Sequence, residues 1–383
     1  MYIDTLEKLN DFVAQATHSD ILALDTEFIR ERTYSAKLCL IQCATEQVSA
    51  VIDPLAIQDL QPLAQLFENP NITKIIHASD QDCAIIYNEF GIVPKPLFDT
   101  QYAATLLGAS HQISLANLVR LHCDVQLDKR DTFTDWLKRP LTSHQIEYAL
   151  ADVAYLPQIY RTMVAELDKL GRLSWLDEEF ERISDAKNYQ LDFDKLWHKV
   201  KGVQSFPPRK LALIQAVALW RERIAKRKNS PRRWVLSDEQ IIEIVRREPP
   251  SVDDLLEVRG VREKLGEHWA KEVFSVLEKA RALPEEQWPR PERGVSRGVE
   301  TAASLDLMYA LLRLRAQENN IAPTVLGNRD DLSQVIAGEH ENVPILQGWR
   351  REIVGAELLD LLAGRLALHL EDNSVKVTLR ELP

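Results

Sequence analysis

Residues 21–52, ILALDTEFIRERTYSAKLCLIQCATEQVSAVI, decide the fold. They hold three short apolar runs, Ile21 to Leu24, Leu38 to Cys43 and Val48 to Ile52, each of strand length and too short for a helix that buries one face. A fourth run, Lys74 to His77, follows a segment with helical spacing, Leu55 to Phe67, and precedes another, Ser79 to Phe90. Three runs close together, then helix, strand and helix, predict a mixed α/β sheet whose first strands form a meander, with helices flanking it.

The chain of 383 residues has room for two or three domains. His144 to Leu170 is one long helical pattern ending at Gly171, and Pro157 should kink or split it. After about residue 190 strand signals nearly vanish. Leu213, Val217, Trp220 and Ile224 recur at helical spacing and predict one apolar helix face opposite basic residues. Pro284, Pro289, Pro291, Gly294 and Gly298 mark a linker. The segments on either side of it resemble each other: Val235-Leu236 followed by Ile241, Ile242 and Val245 parallels Val325-Leu326 followed by Leu332, Val335 and Ile336. The expected organisation is therefore an α/β domain over 1–200, a first small helical domain over 207–286, a linker over 287–299, a second helical domain over 300–370 and a tail over 371–383.

The net charge of −11 is unevenly spread. Residues 1–200 carry 18 Lys and Arg against 30 Asp and Glu, whereas residues 201–290 carry 19 against 14. From Arg209 to Arg233 nine cations face the single acid Glu222, enough to neutralise several phosphates, although a solvated helix face is the plainer reading of any such run. Four cysteines without C-x2-C spacing point to reduced thiols and no zinc site. The longest apolar stretches fall well short of the roughly 18 residues a bilayer requires, so a cytoplasmic protein is expected. There is no phosphate-binding G-x4-G-K-[ST] loop, no dinucleotide fingerprint and no H-E-x-x-H. Gly294 to Gly298 fits G-x-S-x-G but follows a proline-rich linker, not the strand that a nucleophile elbow needs.

The chemistry sits in Asp25-Thr26-Glu27. Strand side chains alternate, so both carboxylates project from one face at the end of the first run. They repel unless a divalent cation lies between them, and hard cations such as Mg²⁺ and Mn²⁺ take oxygen ligands. Asp82, near the start of the helix after the fourth run, joins them if that run pairs with the first. Tyr148 and Asp152 are four apart, hence on one helix face. Four carboxylates and a phenol from three elements suit two metal ions about 4 Å apart. A further acidic series, Asp124, Asp128, Asp131 and Asp135, lacks the glycine and spacing of a calcium loop and reads as solvated surface.

Leu24 to Gln42 (LDTEFIRERTYSAKLCLIQ), Lys74 to Asp82 (KIIHASDQD), Pro96 to Gly108 (PLFDTQYAATLLG) and Asp135 to Leu156 (DWLKRPLTSHQIEYALADVAYL) closely resemble the ribonuclease D family, in the tyrosine-containing branch of the DEDD exonucleases. The resemblance spans about residues 1–200 and implies a ribonuclease H-like fold. The two later segments look like the helical HRDC domains of that family and of some helicases. The resemblance further implies that Asp25, Glu27 and Asp152 ligate a tighter metal, that Asp25 bridges to a second one held by Asp82, and that Tyr148 hydrogen-bonds the attacking water. It implies 5′-mononucleotide release from a 3′ end of RNA, with tRNA precursors as expected substrate, and Phe28, His77 and Gln81 seating the terminal nucleotide. Arg227, Lys228, Arg232 and Arg233 are the candidate RNA-binding cations of the basic stretch. Phe133 departs from the family's usual polar residue before Thr134-Asp135-Trp136, and His122-Cys123 stands where a leucine-glycine pair is usual. A 3′–5′ DNA exonuclease and a non-catalytic RNA-binding adaptor are the alternatives, and oligomeric state is left open.

Overall fold

The computed structural model describes residues 1–127, 134–290 and 299–380. Phe133, Asp128 and Asp131, the G-x-S-x-G segment, most of the expected linker and the last three residues of the tail lie outside them. No helix among the described residues is long and apolar enough to cross a membrane.

Two compact units are present. The first is built on a six-stranded sheet of β1 (Tyr2–Ile3), β2 (Ile21–Ile29), β3 (Lys37–Ala44), β4 (Ser49–Ile52), β5 (Thr73–Ile76) and β6 (Leu97–Asp99), ordered β1-β4-β3-β2-β5-β6. β2, β3 and β4 are neighbours in chain order, the expected meander. β5 lies parallel to β2, pairing Ile21 with Thr73 and Ala23 with Ile75. This pairing meets the condition for Asp82 to approach the opening carboxylates. β1 and β6, of two and three residues, are too short to register as periodic runs in the sequence. Asp25 and Glu27 are also interior to β2, which continues to Ile29, so they do not mark its end.

Helices α1 (Leu6–Ala16), α2 (Gln61–Glu68), α3 (Asp80–Phe90), α4 (Thr100–Thr105), α5 (Leu115–Cys123), α6 (Ser143–Ala154), α7 (Leu156–Lys169) and α8 (Asp177–Ile183) accompany the sheet. The long pattern from His144 is split as expected: α6 ends at Ala154, and Pro157 opens α7, where its missing N–H costs no helical bond.

The second unit holds α9 (Pro208–Arg227), α10 (Arg232–Val235), α11 (Asp238–Arg247), α12 (Val252–Leu256) and α13 (Arg262–Arg281), together with residues 27–39. Leu213, Val217, Trp220 and Ile224 lie in its core, as their spacing predicts. Tyr34 packs against that core, and its hydroxyl donates to Glu222 at 2.6 Å.

The C-terminal helices α14 (Val299–Glu318), α15 (Pro323–Leu326) and α16 (Arg329–Ile336) belong to the first unit. They repeat the succession α9, α10, α11. Asn229 and Asn320 both take a left-handed φ, 45° and 48°. The carbonyls of Ala225 and Ala316 each accept from a residue five further on, at 3.0 Å. Ser237 and Asn328 both cap the helix that follows. This register is one residue away from the sequence reading: Trp234-Val235, not Val235-Leu236, matches Val325-Leu326.

The near absence of strands after residue 190 is corrected by a hairpin of β7 (Leu366–Glu371) and β8 (Ser374–Leu379). Its turn, Asp372-Asn373, has φ of 48° and 61°, the left-handed pair that a two-residue hairpin turn demands. Leu366, Leu368 and Leu370 face Leu379, Val377 and Val375 across the ladder. The alternation is therefore visible in the sequence, but only over two runs of six residues.

Candidate active site

On β2 the two-residue period puts Asp25 and Glu27 on one face and Thr26 and Phe28 on the other. Asp152 comes from α6, whose start is firmly held. Thr142 and Gln145 form a reciprocal capping box, and the Gln145 amide also donates to Thr134 Oγ1 at 2.9 Å. Just upstream, the Arg139 guanidinium grips Asp53 through Nε at 2.5 Å and Nη2 at 2.8 Å, and the Tyr2 hydroxyl donates to the same buried carboxylate. A bidentate pair of this kind fixes direction as well as distance.

The outcome is convergence. Carboxylate oxygens of Asp25, Glu27 and Asp152 all lie within 4.8 Å of one another, and all three residues are partly buried. Burial pushes the Asp152 carboxyl up to about 7. Three such groups side by side repel when ionised, and the donor set consists only of hard oxygens. It therefore fits Mg²⁺ or Mn²⁺ and not a zinc site of nitrogen and sulfur. Tyr148, one helical turn before Asp152, is half-buried, its ring 6.2 Å from that of the buried Trp136.

Asp82 stands apart from the three. It is 7% exposed, in the first turn of α3, and accepts from the Thr26 hydroxyl at 2.5 Å. Burial pushes its carboxyl up to about 6, with the Thr26 hydrogen bond pulling the other way. It thus abuts the residue between Asp25 and Glu27 without entering the group of three.

The three residues expected to seat a nucleotide differ in their surroundings. Both ring nitrogens of His77 are engaged, Nδ1 with Thr100 Oγ1 at 2.9 Å and Nε2 with the Ile113 carbonyl at 3.0 Å. Burial lowers its pKa, against the pull of Asp99. Phe28 is half-buried on the face opposite the carboxylates, whereas Gln81 is exposed on α3.

Sequence reasoning missed the residue that shapes the turn carrying Asp82. Asp99 accepts from the backbone N–H groups of Ala78, Ser79, Gln101 and Tyr102 and from the Ser79 hydroxyl, at 2.7 to 3.2 Å. It thereby caps α4 and holds Ala78 at a φ of 61°, which alanine rarely adopts. An aspartate directly before a helical segment was the available signal.

In the second unit the nine cations do not form one footprint. Arg221 is 2% exposed and bound to Asp238 at 2.7 Å, which corrects its place in the basic run. Arg209 pairs with Glu248 at 3.1 Å. Arg227 and Lys228 sit over the Trp269 ring at 4.9 and 4.7 Å. Arg232 lies 3.8 Å from Glu222 and Arg233 3.6 Å from Glu239.

Comparison with known proteins adds a family to this geometry. Residues 1–168 match a 3′-5′ exonuclease family and residues 210–277 the HRDC domain. The chain is 40% identical to ribonuclease D of Sphingobium indicum, over 97% of this chain and 96% of that one. It is 39% identical to ribonuclease D of Zymomonas mobilis, over 96% and 95%. The structure resembles that of Escherichia coli RNase D, described as an exoribonuclease involved in structured RNA processing, with a TM-score of 0.85 and 30% identity, covering 95% of this chain and 98% of that one. With near full-length kinship on both counts, and three acidic groups gathered on one strand and one helix, this chain belongs to the ribonuclease D family and is a hydrolase of the 3′–5′ exoribonuclease class.

Proposed function

We propose that this protein trims single-stranded 3′ tails from structured RNAs, tRNA precursors among them, releasing 5′-mononucleotides by metal-dependent hydrolysis. The observation that carries the reading is the convergence of Asp25, Glu27 and Asp152. These three carboxylates would hold one divalent cation, and Asp25 with Asp82 a second, once Asp82 turns from Thr26. When bound, Mg²⁺ or Mn²⁺ ions in such a pair lower the pKa of water and offset charge on the leaving oxygen. The chain's own part is to hold and orient. A phenol ordinarily titrates near 10, so Tyr148 aligns the attacking water and does not take its proton. Asp99 holds the turn that leads into α3, and Asp82 would give up its Thr26 hydrogen bond on meeting the cation.

RNA affinity belongs to the basic helical unit, because the acidic α/β lobe repels phosphate until its carboxylates are neutralised. We read residues 300–370 as a second HRDC-like domain, supported by the matching caps and left-handed asparagines. The test is decay of a 3′-tailed RNA and of a matched DNA strand in Mg²⁺ or Mn²⁺. The parent should shorten the RNA stepwise, and Asp25→Ala and Asp152→Ala should lose at least about a thousand-fold in rate, the order expected when a metal ligand is removed from a two-metal centre. Variants as fast as the parent would exclude the mechanism. Faster decay of the DNA strand would change the substrate.

A further inference from the structure

Trp234 is 55% exposed, and it is the one tryptophan among the described residues with its indole largely in water. The scaffold does not require this. Its counterpart in the C-terminal repeat, Val325, is 4% exposed. Nor is the indole on a loose loop. Val235 and Leu236, directly after it, are buried, and the Leu236 carbonyl accepts from the buried Arg221 at 3.1 Å. Arg221 also holds Asp238 in the first turn of α11. The Trp234 N–H itself donates to the Pro231 carbonyl at 2.9 Å. The indole is thus presented outward from a turn fixed on both sides.

Its neighbours define the ligand. Arg233 is 60% exposed and only 3.6 Å from Glu239, and Arg232 is 41% exposed and 3.8 Å from Glu222. Neither contact is a bidentate pair at hydrogen-bond distance, so each guanidinium keeps donors for another anion. A rigid aromatic face flanked by two cations with spare donors matches the chemistry of a single-stranded nucleic acid: a base stacks on the ring and the adjoining phosphates meet the cations.

We infer that Trp234 is a stacking platform for one base of the single-stranded RNA tail, with Arg232 and Arg233 taking the flanking phosphates. The inference rests on the RNA reading above and adds a located contact to it. Stacking is tolerant of base identity, so the platform grips tails without selecting their sequence.

The test is binding of a fluorescently labelled single-stranded oligoribonucleotide, followed by anisotropy with the full-length protein in EDTA, so that hydrolysis cannot intervene. Trp234→Ala should bind about ten-fold more weakly, the order of one lost base-aromatic stack, and Trp234→Phe should recover most of the loss. On an otherwise identical strand of abasic ribose phosphates, the parent and Trp234→Ala should bind alike. Equal affinity of parent and Trp234→Ala for the normal strand would overturn the platform, as would an equal loss on both strands, which would mean that the residue acts through the fold or through a protein contact. A parent that binds no RNA would remove the RNA reading, and this site with it.

Discussion

The helical regions α9 to α11 and α14 to α16 follow one plan with opposite surfaces. In the first, the end of the long helix and the segment after it carry Arg227, Lys228, Arg232, Arg233 and Trp234. At the matching places the second has Glu318, Asn319, Pro323, Thr324 and Val325. Inside, the first buries Arg221 against Asp238, where the second has Leu312 and Arg329 preceded by the capping Asn328. The second is fastened to the α/β fold instead. The Ala322 N–H donates to the Thr105 carbonyl at 2.9 Å, and Arg350 bridges the Val325 carbonyl and the Tyr102 hydroxyl at 2.7 and 3.0 Å. Trp175 and Trp349 stack with centroids 4.3 Å apart. A repeated backbone therefore says little about role. The same backbone carries a charged, exposed edge in the first and a seam within a folded unit in the second.

The sharpest way to break this contrast is to neutralise the charged edge. Replacing Arg227, Lys228, Arg232 and Arg233 by glutamine should weaken RNA binding about a hundred-fold at low salt. It should also lower the salt-dependence slope by roughly two to three, at about 0.7 per single-strand phosphate contact. Anisotropy titrations across a range of salt concentrations check this, and an unchanged slope would make the run a solvated helix face and nothing more.

The interiors come next. Arg221→Leu leaves the Asp238 carboxylate without its buried partner and should cost about 3 kcal/mol in urea unfolding. Adding Asp238→Asn should restore the protein to within about 1 kcal/mol of the parent, because a neutral interior then replaces the ion pair. A double variant no better than the single one would show that the first repeat cannot adopt a neutral core.

Smaller effects are expected at the C-terminal seam and at the Tyr34 contact within the second unit. Arg350→Ala removes donors from a buried carbonyl and a phenol and should cost about 2 kcal/mol, measured by the same unfolding experiment. Tyr34→Phe deletes the hydroxyl that donates to Glu222 and should cost about 1 kcal/mol. Were Tyr34→Phe the more damaging of the two, the 27–39 segment would matter more to its own unit than Arg350 does to the C-terminal seam.

Much of the candidate site was legible because its signals are local. The alternation of β2 placed Asp25 and Glu27 together, and a four-residue interval placed Tyr148 and Asp152 on one face of α6. What escaped were interactions across long chain distances. The Thr26 hydroxyl meets Asp82 through the pairing of β2 with β5, and Asp99 draws three of its five donors from a turn about twenty residues away. The basic run misled for a related reason. A charge count treats Arg221 and Arg233 alike, although one is buried with an aspartate and the other lies in water.

By itself the sequence determined the mixed α/β order, the split of the long helix at Pro157, the chemical identity of the metal-ligand candidates and the existence of a helical repeat, because backbone period, proline sterics and side-chain chemistry act over a few residues. Only the tertiary structure decided that Asp152 meets the β2 carboxylates while Asp82 leans on Thr26, that the second repeat is seamed to the α/β fold, and that Trp234 is exposed where Val325 is covered. Those outcomes depend on which apolar faces find each other when the chain collapses, and burial is a property of the whole assembly of side chains and not of any one stretch of it.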